Sequence, residues 1–139
     1  MFNMYKQLDN LLSAVTTVDS WYDDGCIIVA ELLEDFGQSD WDQLTIEVLN
    51  KPLYWKKKLA YCLDSTQHTQ EFEILLSLLS VEDSELFEIC IDTLRSYTST
   101  EHKQRIINHP MILDRVHNAI LGAGTASQKI LEEFLKGLK

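Results

Sequence analysis

The chain is poor in the features that usually betray a function. Its three cysteines, Cys26, Cys62 and Cys90, are odd in number, widely spaced and never arranged as C-x-x-C. That pattern argues against a zinc knuckle and against a disulfide framework. Each lies in an apolar helical pattern, so all three read as small core residues. No apolar run approaches the ~20 residues of a membrane span. The opening residues MFNMYK carry no basic stretch leading into an apolar one, so no secretion signal is expected and a cytoplasmic, reducing location is. Basic side chains are also scarce. Twelve Lys and Arg face 22 Asp and Glu, giving a formal net charge of -10 over 139 residues. Nucleic acid and anionic membrane are therefore disfavoured, because both require clustered Lys and Arg.

Catalytic and metal-binding patterns are missing too. The histidines, His68, His102, His109 and His117, include no pair at i, i+3 or i, i+4, and no Glu-x-x-His occurs, so no helical metal face is expected. Gly122-Ala123-Gly124-Thr125 lacks the lysine and the preceding strand of a phosphate loop and reads as a helix cap. Ser13 and Cys62 have no base placed near them in sequence. The expectation is a non-catalytic chain with no cofactor and no metal, and the third possibility, an enzyme whose site assembles from distant residues, has no motif behind it.

What is present is helical periodicity. At 45% hydrophobic residues the chain can build a core, and its length suits a single domain spanning 1–139. Two prolines and most of the five glycines fall where helices should begin or end; Gly25 is the exception. Nine helices are predicted. The first covers about residues 3–18, with Tyr5, Leu8, Leu12 and Val15 on one stripe. Ser20 with Asp23 should cap the second, whose stripe is Tyr22, Cys26, Val29, Leu33 and Phe36, closed by Gly37. Ser39 with Asp42 should open the third, Pro52 the fourth and Thr69 the fifth. Ser80 with Asp83 should open the sixth, Thr100 the seventh and Pro110 the eighth. Thr125 with Gln128 forms a capping box for the ninth. The β-branched stretch 27–29 is the one place where a strand could compete.

A weak repeat runs through the middle. Residues 29–34 align with 59–64 at an offset of 30, and the next helix, with Leu44, Ile46, Val48 and Leu49, aligns with Ile74, Leu76, Leu78 and Leu79 at the same offset. Ala30 and Ala60 coincide, and small residues there let helices approach closely. A looser copy includes residues 90–94. The segment Glu73, Ile74, Leu75, Leu76, then the acidic turn Glu82, Asp83, then Leu86, Phe87, Cys90, Ile91 and Leu94 resembles an armadillo or HEAT unit. The turn lacks the proline common in that family, and an extra helix before Pro110 interrupts the third copy. The resemblance implies an all-α, compact and irregular helical-repeat solenoid of about nine antiparallel helices, with an extended concave face suited to binding.

Charge is unevenly spread. Residues 1–50 hold ten acids and one lysine, whereas residues 101–139 hold four acids and six bases. The sole basic run, Lys56-Lys57-Lys58 beside Trp55, reads as a face pairing with acids of a neighbouring helix. In the acidic third, two indoles sit among carboxylates at expected helix starts, Trp21 with Asp19, Asp23 and Asp24, and Trp41 with Asp40 and Asp42. Acids there also complement the helix dipole. Aromatic anchors ringed by charge suit a basic protein partner. The candidate partner-binding residues are thus Asp19, Trp21, Asp23, Asp24, Glu31, Glu34, Asp35, Asp40, Trp41, Asp42 and Glu47. In type, size and charge, a small acidic helical chain carrying the HEAT-like unit over residues 73–94 is similar to immunity proteins of bacterial toxin–immunity systems, including contact-dependent growth inhibition. That resemblance implies a monomer binding one basic toxin domain, of nuclease type, in a 1:1 complex. The alternative is a general armadillo/HEAT-type interaction adaptor.

Overall fold

A computed structural model describes residues 4–14, 25–64, 68–109 and 111–138. Among them are nine α-helices and no strand: α1 (Met4–Ser13), α2 (Cys26–Glu34), α3 (Gln38–Glu47), α4 (Leu53–Cys62), α5 (Thr69–Leu78), α6 (Ser84–Leu94), α7 (Thr100–Asn108), α8 (Ile112–Gly122) and α9 (Thr125–Gly137). A short 3-10 turn, Val48–Asn50, follows α3. The stretch 27–29 is helical, because Val29 and Leu33, one turn apart, are both fully buried and tertiary packing overrides β-branched propensity.

The core is a single cluster in which α4 is central. It packs against α1, α2, α5 and, most extensively, α6. Trp55, Leu59, Ala60 and Leu63 are fully buried there, against Leu86, Cys90 and Ile91 of α6. The Thr93 hydroxyl of α6 donates to the carbonyl of the fully buried Ala60 at 2.8 Å and ties the two helices together. α3 lies on α5, α9 lies on α6, and α8 contacts α7 and α9.

Helix ends depart from the expected caps in an instructive way. Asp83, not Ser80, caps α6, accepting from the Leu86 N–H at 2.8 Å. Ser80 instead donates to the Ser77 carbonyl at 2.6 Å and helps close α5. Gly37, not Ser39, precedes α3, and Asp40 reaches back to accept from the Gly37 N–H at 3.0 Å. Ser99 caps α7 by accepting from the His102 N–H at 3.2 Å. The Thr125–Gln128 box does not form. Gln128 donates to the Ile120 carbonyl at 3.0 Å and so satisfies the end of α8. In each case a side chain has a choice of unpaired backbone groups, and the tertiary turn decides between them. The expected caps Ser20 and Pro110 lie outside the described residues.

Candidate protein-binding surface

α2 is apolar on more than one face. Val29 and Leu33 go to the core, and Leu32 and Cys26 are partly covered. The opposite face then carries Ile27, 57% exposed, and Ile28, 48% exposed, followed by Glu31, Glu34 and Asp35 in solvent. The helix thus presents an apolar first turn and an acidic last turn side by side. Among the described residues, the carboxylates of Glu31, Glu34 and Asp35 make no hydrogen bond or ion pair. Three carboxylates on the last turn oppose the helix dipole, an arrangement that lowers helix stability slightly.

α3 follows after the short connection at Asp35, Phe36 and Gly37. Its Ile46 is 75% exposed, and Asp42 is exposed as well. Asp42 accepts from the side-chain amides of Gln38 at 2.9 Å and Gln70 at 3.1 Å, which ties α3 to α5 without neutralising the charge.

Several expected site residues have other work. Trp41 is only 2% exposed, so it offers no ring to a partner. Its indole stacks on His68, with centroids 4.9 Å apart and planes within 10°, and meets Phe36 edge-on at 5.0 Å. Asp40 is taken up by two backbone donors, the Gly37 N–H and the Tyr5 N–H at 3.2 Å, and anchors α3 to α1. Glu47 is half-buried and lies beside the buried Tyr5 hydroxyl. Burial, with Glu47 and Asp9 nearby, pushes that phenol well above its ordinary value. Asp19, Trp21, Asp23 and Asp24 lie outside the described residues. What remains of the expected set is Glu31, Glu34, Asp35 and Asp42. Sequence reasoning missed Ile27, Ile28 and Ile46. The signal existed for the first two, because a stripe through Cys26, Val29, Leu33 and Phe36 leaves 27 and 28 pointing away.

Lys57 of the basic run pairs with acids of the neighbouring helix as expected, whereas Lys56 is buried rather than on an exposed face. Lys57 bridges Glu85 at 3.1 Å and Asp83 at 3.8 Å, while Lys58 donates to the Ala14 carbonyl at 2.9 Å and lies over the Tyr54 ring. Lys56 is buried along its stem. Three of the histidines, His68, His102 and His109, have structural roles. His68 precedes α5, its Nδ1 accepting from the Gln70 N–H at 3.1 Å. His102 packs on Phe72 and Tyr97. His109 Nδ1 accepts from the Met111 N–H at 3.3 Å. Among the described residues no group of three His, Cys, Asp or Glu side chains is arranged to hold a metal ion, and no helix is long and apolar enough to cross a membrane.

No family model, curated protein or solved structure matches this chain. The surface chemistry therefore carries the functional argument.

Proposed function

We propose that this protein is a non-catalytic inhibitor that neutralises a cognate bacterial toxin domain, as immunity proteins do, by docking the acidic and apolar outer face of α2 and the adjoining part of α3 onto a basic surface of the toxin. The supporting observation is the α2 face itself. Ile27 and Ile28 are large, exposed and contiguous with Glu31, Glu34 and Asp35, carboxylates that have no partner among the described residues. Apolar side chains supply burial in an interface, and unneutralised charge steers a basic partner into register. A nuclease groove is basic because it holds phosphates, and an acidic protein can occupy it. In this reading the helices stack as an irregular HEAT-like solenoid, and the protein acts in the cytoplasm as a monomer in a 1:1 complex.

The test is co-purification from the native host, followed by kinetics with the captured partner. The expected result is one basic protein whose association rate falls steeply as salt rises. A salt-independent rate, or a partner that leaves α2 open to proteolytic or hydrogen-exchange probes, would overturn the electrostatic docking. A second reading, the peptide adaptor, rests on a different feature. A groove of about 670 Å³ between α5, α6 and α8 is walled by Leu76, Leu79, Phe87, Met111, Ile112 and Ala119. An adaptor would bind short apolar peptides there, and protection of Met111 with α2 unaffected would favour it.

A further inference from the structure

Cys26 is the first residue of α2 and Cys62 the last of α4, and their Sγ atoms lie 3.3 Å apart. A disulfide bond is about 2.05 Å long, so about 1.3 Å of closure joins them. The third cysteine is placed differently. Cys90 is fully buried between helices, and burial pushes its thiol up to about 12. Cys62 is also buried, but Cys26 is half-exposed. It borders an open cleft of about 560 Å³ shared with Tyr61, Asp64, Asp92 and Arg95, wide enough to admit a small oxidant.

We infer that Cys26 and Cys62 form a reversible redox pair, oxidised by a peroxide to an intramolecular disulfide that staples α2 to α4. The accessible Cys26 is the attacking sulfur and the buried Cys62 the resolving one. Their mutual hydrogen bond divides them in that sense. It lowers the Cys26 thiol below its ordinary value, against burial and the Asp64 charge, and raises the Cys62 thiol, as does burial.

The chemistry balances with hydrogen peroxide as the oxidant. The Cys26 thiolate attacks one peroxide oxygen, an S–O bond forms, the O–O bond breaks, and the departing hydroxide takes a proton to leave as water. The Cys62 sulfur then attacks the Cys26 sulfenic sulfur. The S–S bond forms, the S–O bond breaks, and hydroxide leaves as a second water with the Cys62 proton. Two thiols lose two electrons and one peroxide becomes two waters. The staple encloses residues 26–62, a loop long enough for the cross-link to restrict the unfolded chain substantially. In a reducing cytosol such a bond is transient and serves sensing rather than architecture.

The test treats the purified full-length chain with a small molar excess of hydrogen peroxide. The expected product is a monomer lighter by two hydrogen atoms, with a Cys26–Cys62 linkage in peptide mass mapping. Its thermal midpoint should rise by roughly 5–15 °C and return on adding dithiothreitol. Before oxidation, iodoacetamide should label Cys26 at least ~10-fold faster than Cys90. Cys62→Ser should leave Cys26 as a sulfenic acid that dimedone traps, and Cys90→Ser should oxidise like the parent. Linkage through Cys90, intermolecular disulfides as the main product, or a chain whose thiols remain unoxidised would overturn the proposal. The alkylation ratio needs no variant, so a substitution that fails to fold does not rescue the idea.

Discussion

On α2, Glu31, Glu34 and Asp35 stand in solvent with no ion pair among the described residues, whereas in the half built from α5 to α9 three acids, Glu73, Asp92 and Glu133, meet arginines. Arg95 bridges Asp92 at 2.7 Å and Glu133 at 2.9 Å, and Arg105 pairs with Glu73. Ser127 donates to Glu88. Both regions are acidic helices over the same core, so the difference is not one of burial. Exposed ion pairs contribute little stability, with a median of about 0–1 kcal/mol. The C-terminal half gains little in stability from its pairs, and α2 forgoes little by having none. What pairing changes is the field. Paired acids project a weak potential, while three unpaired carboxylates beside two exposed isoleucines project a strong one next to burial-ready surface.

The largest expected effect tests whether the two regions share one core. Trp55 is fully buried, and its Nε1 donates to Asp9 Oδ1 at 2.9 Å. Trp55→Ala should cost about 3–5 kcal/mol in chemical denaturation, and one cooperative transition should be retained. Two transitions would mean that the acidic and paired halves unfold separately. Next comes Tyr97→Phe. The Tyr97 hydroxyl lies against the Leu63 carbonyl and 3.0 Å from Oε1 of the fully buried Glu71. Removing it should cost about 1–3 kcal/mol, because a buried polar group is left underpaired.

Charge reversal then addresses α2 directly. The triple substitution Glu31→Lys, Glu34→Lys, Asp35→Lys should leave folding stability within about 0.5 kcal/mol. It should slow association with a basic partner by roughly 10-fold or more at low salt, an effect that shrinks as salt is added. Reversing Asp92 and Glu133 should move that rate less, since Arg95 already offsets one of their two charges. Equal effects from the two sets would erase the distinction between the regions.

Asp9 shows what a paired acid in the N-terminal region looks like. Burial pushes its carboxyl upward. Hydrogen bonds from Lys51, Trp55 and Ser13, with the Lys51 charge, outweigh that and hold it below the ordinary value. A folded-state value below the unfolded 3.8 means that its stabilisation is fully present above that pH and is lost as pH falls through the lower folded value. Asp9→Asn should therefore remove part of the acid lability below about pH 4, read from denaturation midpoints recorded across the acid range.

The periodicity of apolar residues made the helices legible, including a sixth helix whose Leu86, Cys90, Ile91 and Leu94 all point inward. The caps were less legible, because Ser80 and Asp83, or Thr125 and Gln128, are both competent partners and the choice depends on which backbone groups the turn exposes. Trp41 shows the limit at the site. An indole between Asp40 and Asp42 satisfies a docking pattern and a core pattern equally, and only the positions of Phe36 and His68 separate them. Cys26 and Cys62 likewise meet through the packing of α2 on α4, which no local spacing reports.

The smallest expected effect is the sharpest test of the electrostatic contrast. Arg95→Met removes one guanidinium and keeps most of the stem, so the apolar contact survives. Asp92 and Glu133 then become as unpaired as Glu31 and Glu34. All three side chains are 38–49% exposed, and solvent screens the loss. Stability should fall by less than about 1 kcal/mol. If unpaired acids alone made a docking surface, this variant would acquire one on its C-terminal half and recruit the basic partner there. The expected outcome is no second binding site in titration calorimetry. The cleft at Asp92 is lined by Tyr61, Arg95 and Ser96 rather than by a pair of adjacent exposed isoleucines, so charge there steers an encounter with less apolar surface to bury.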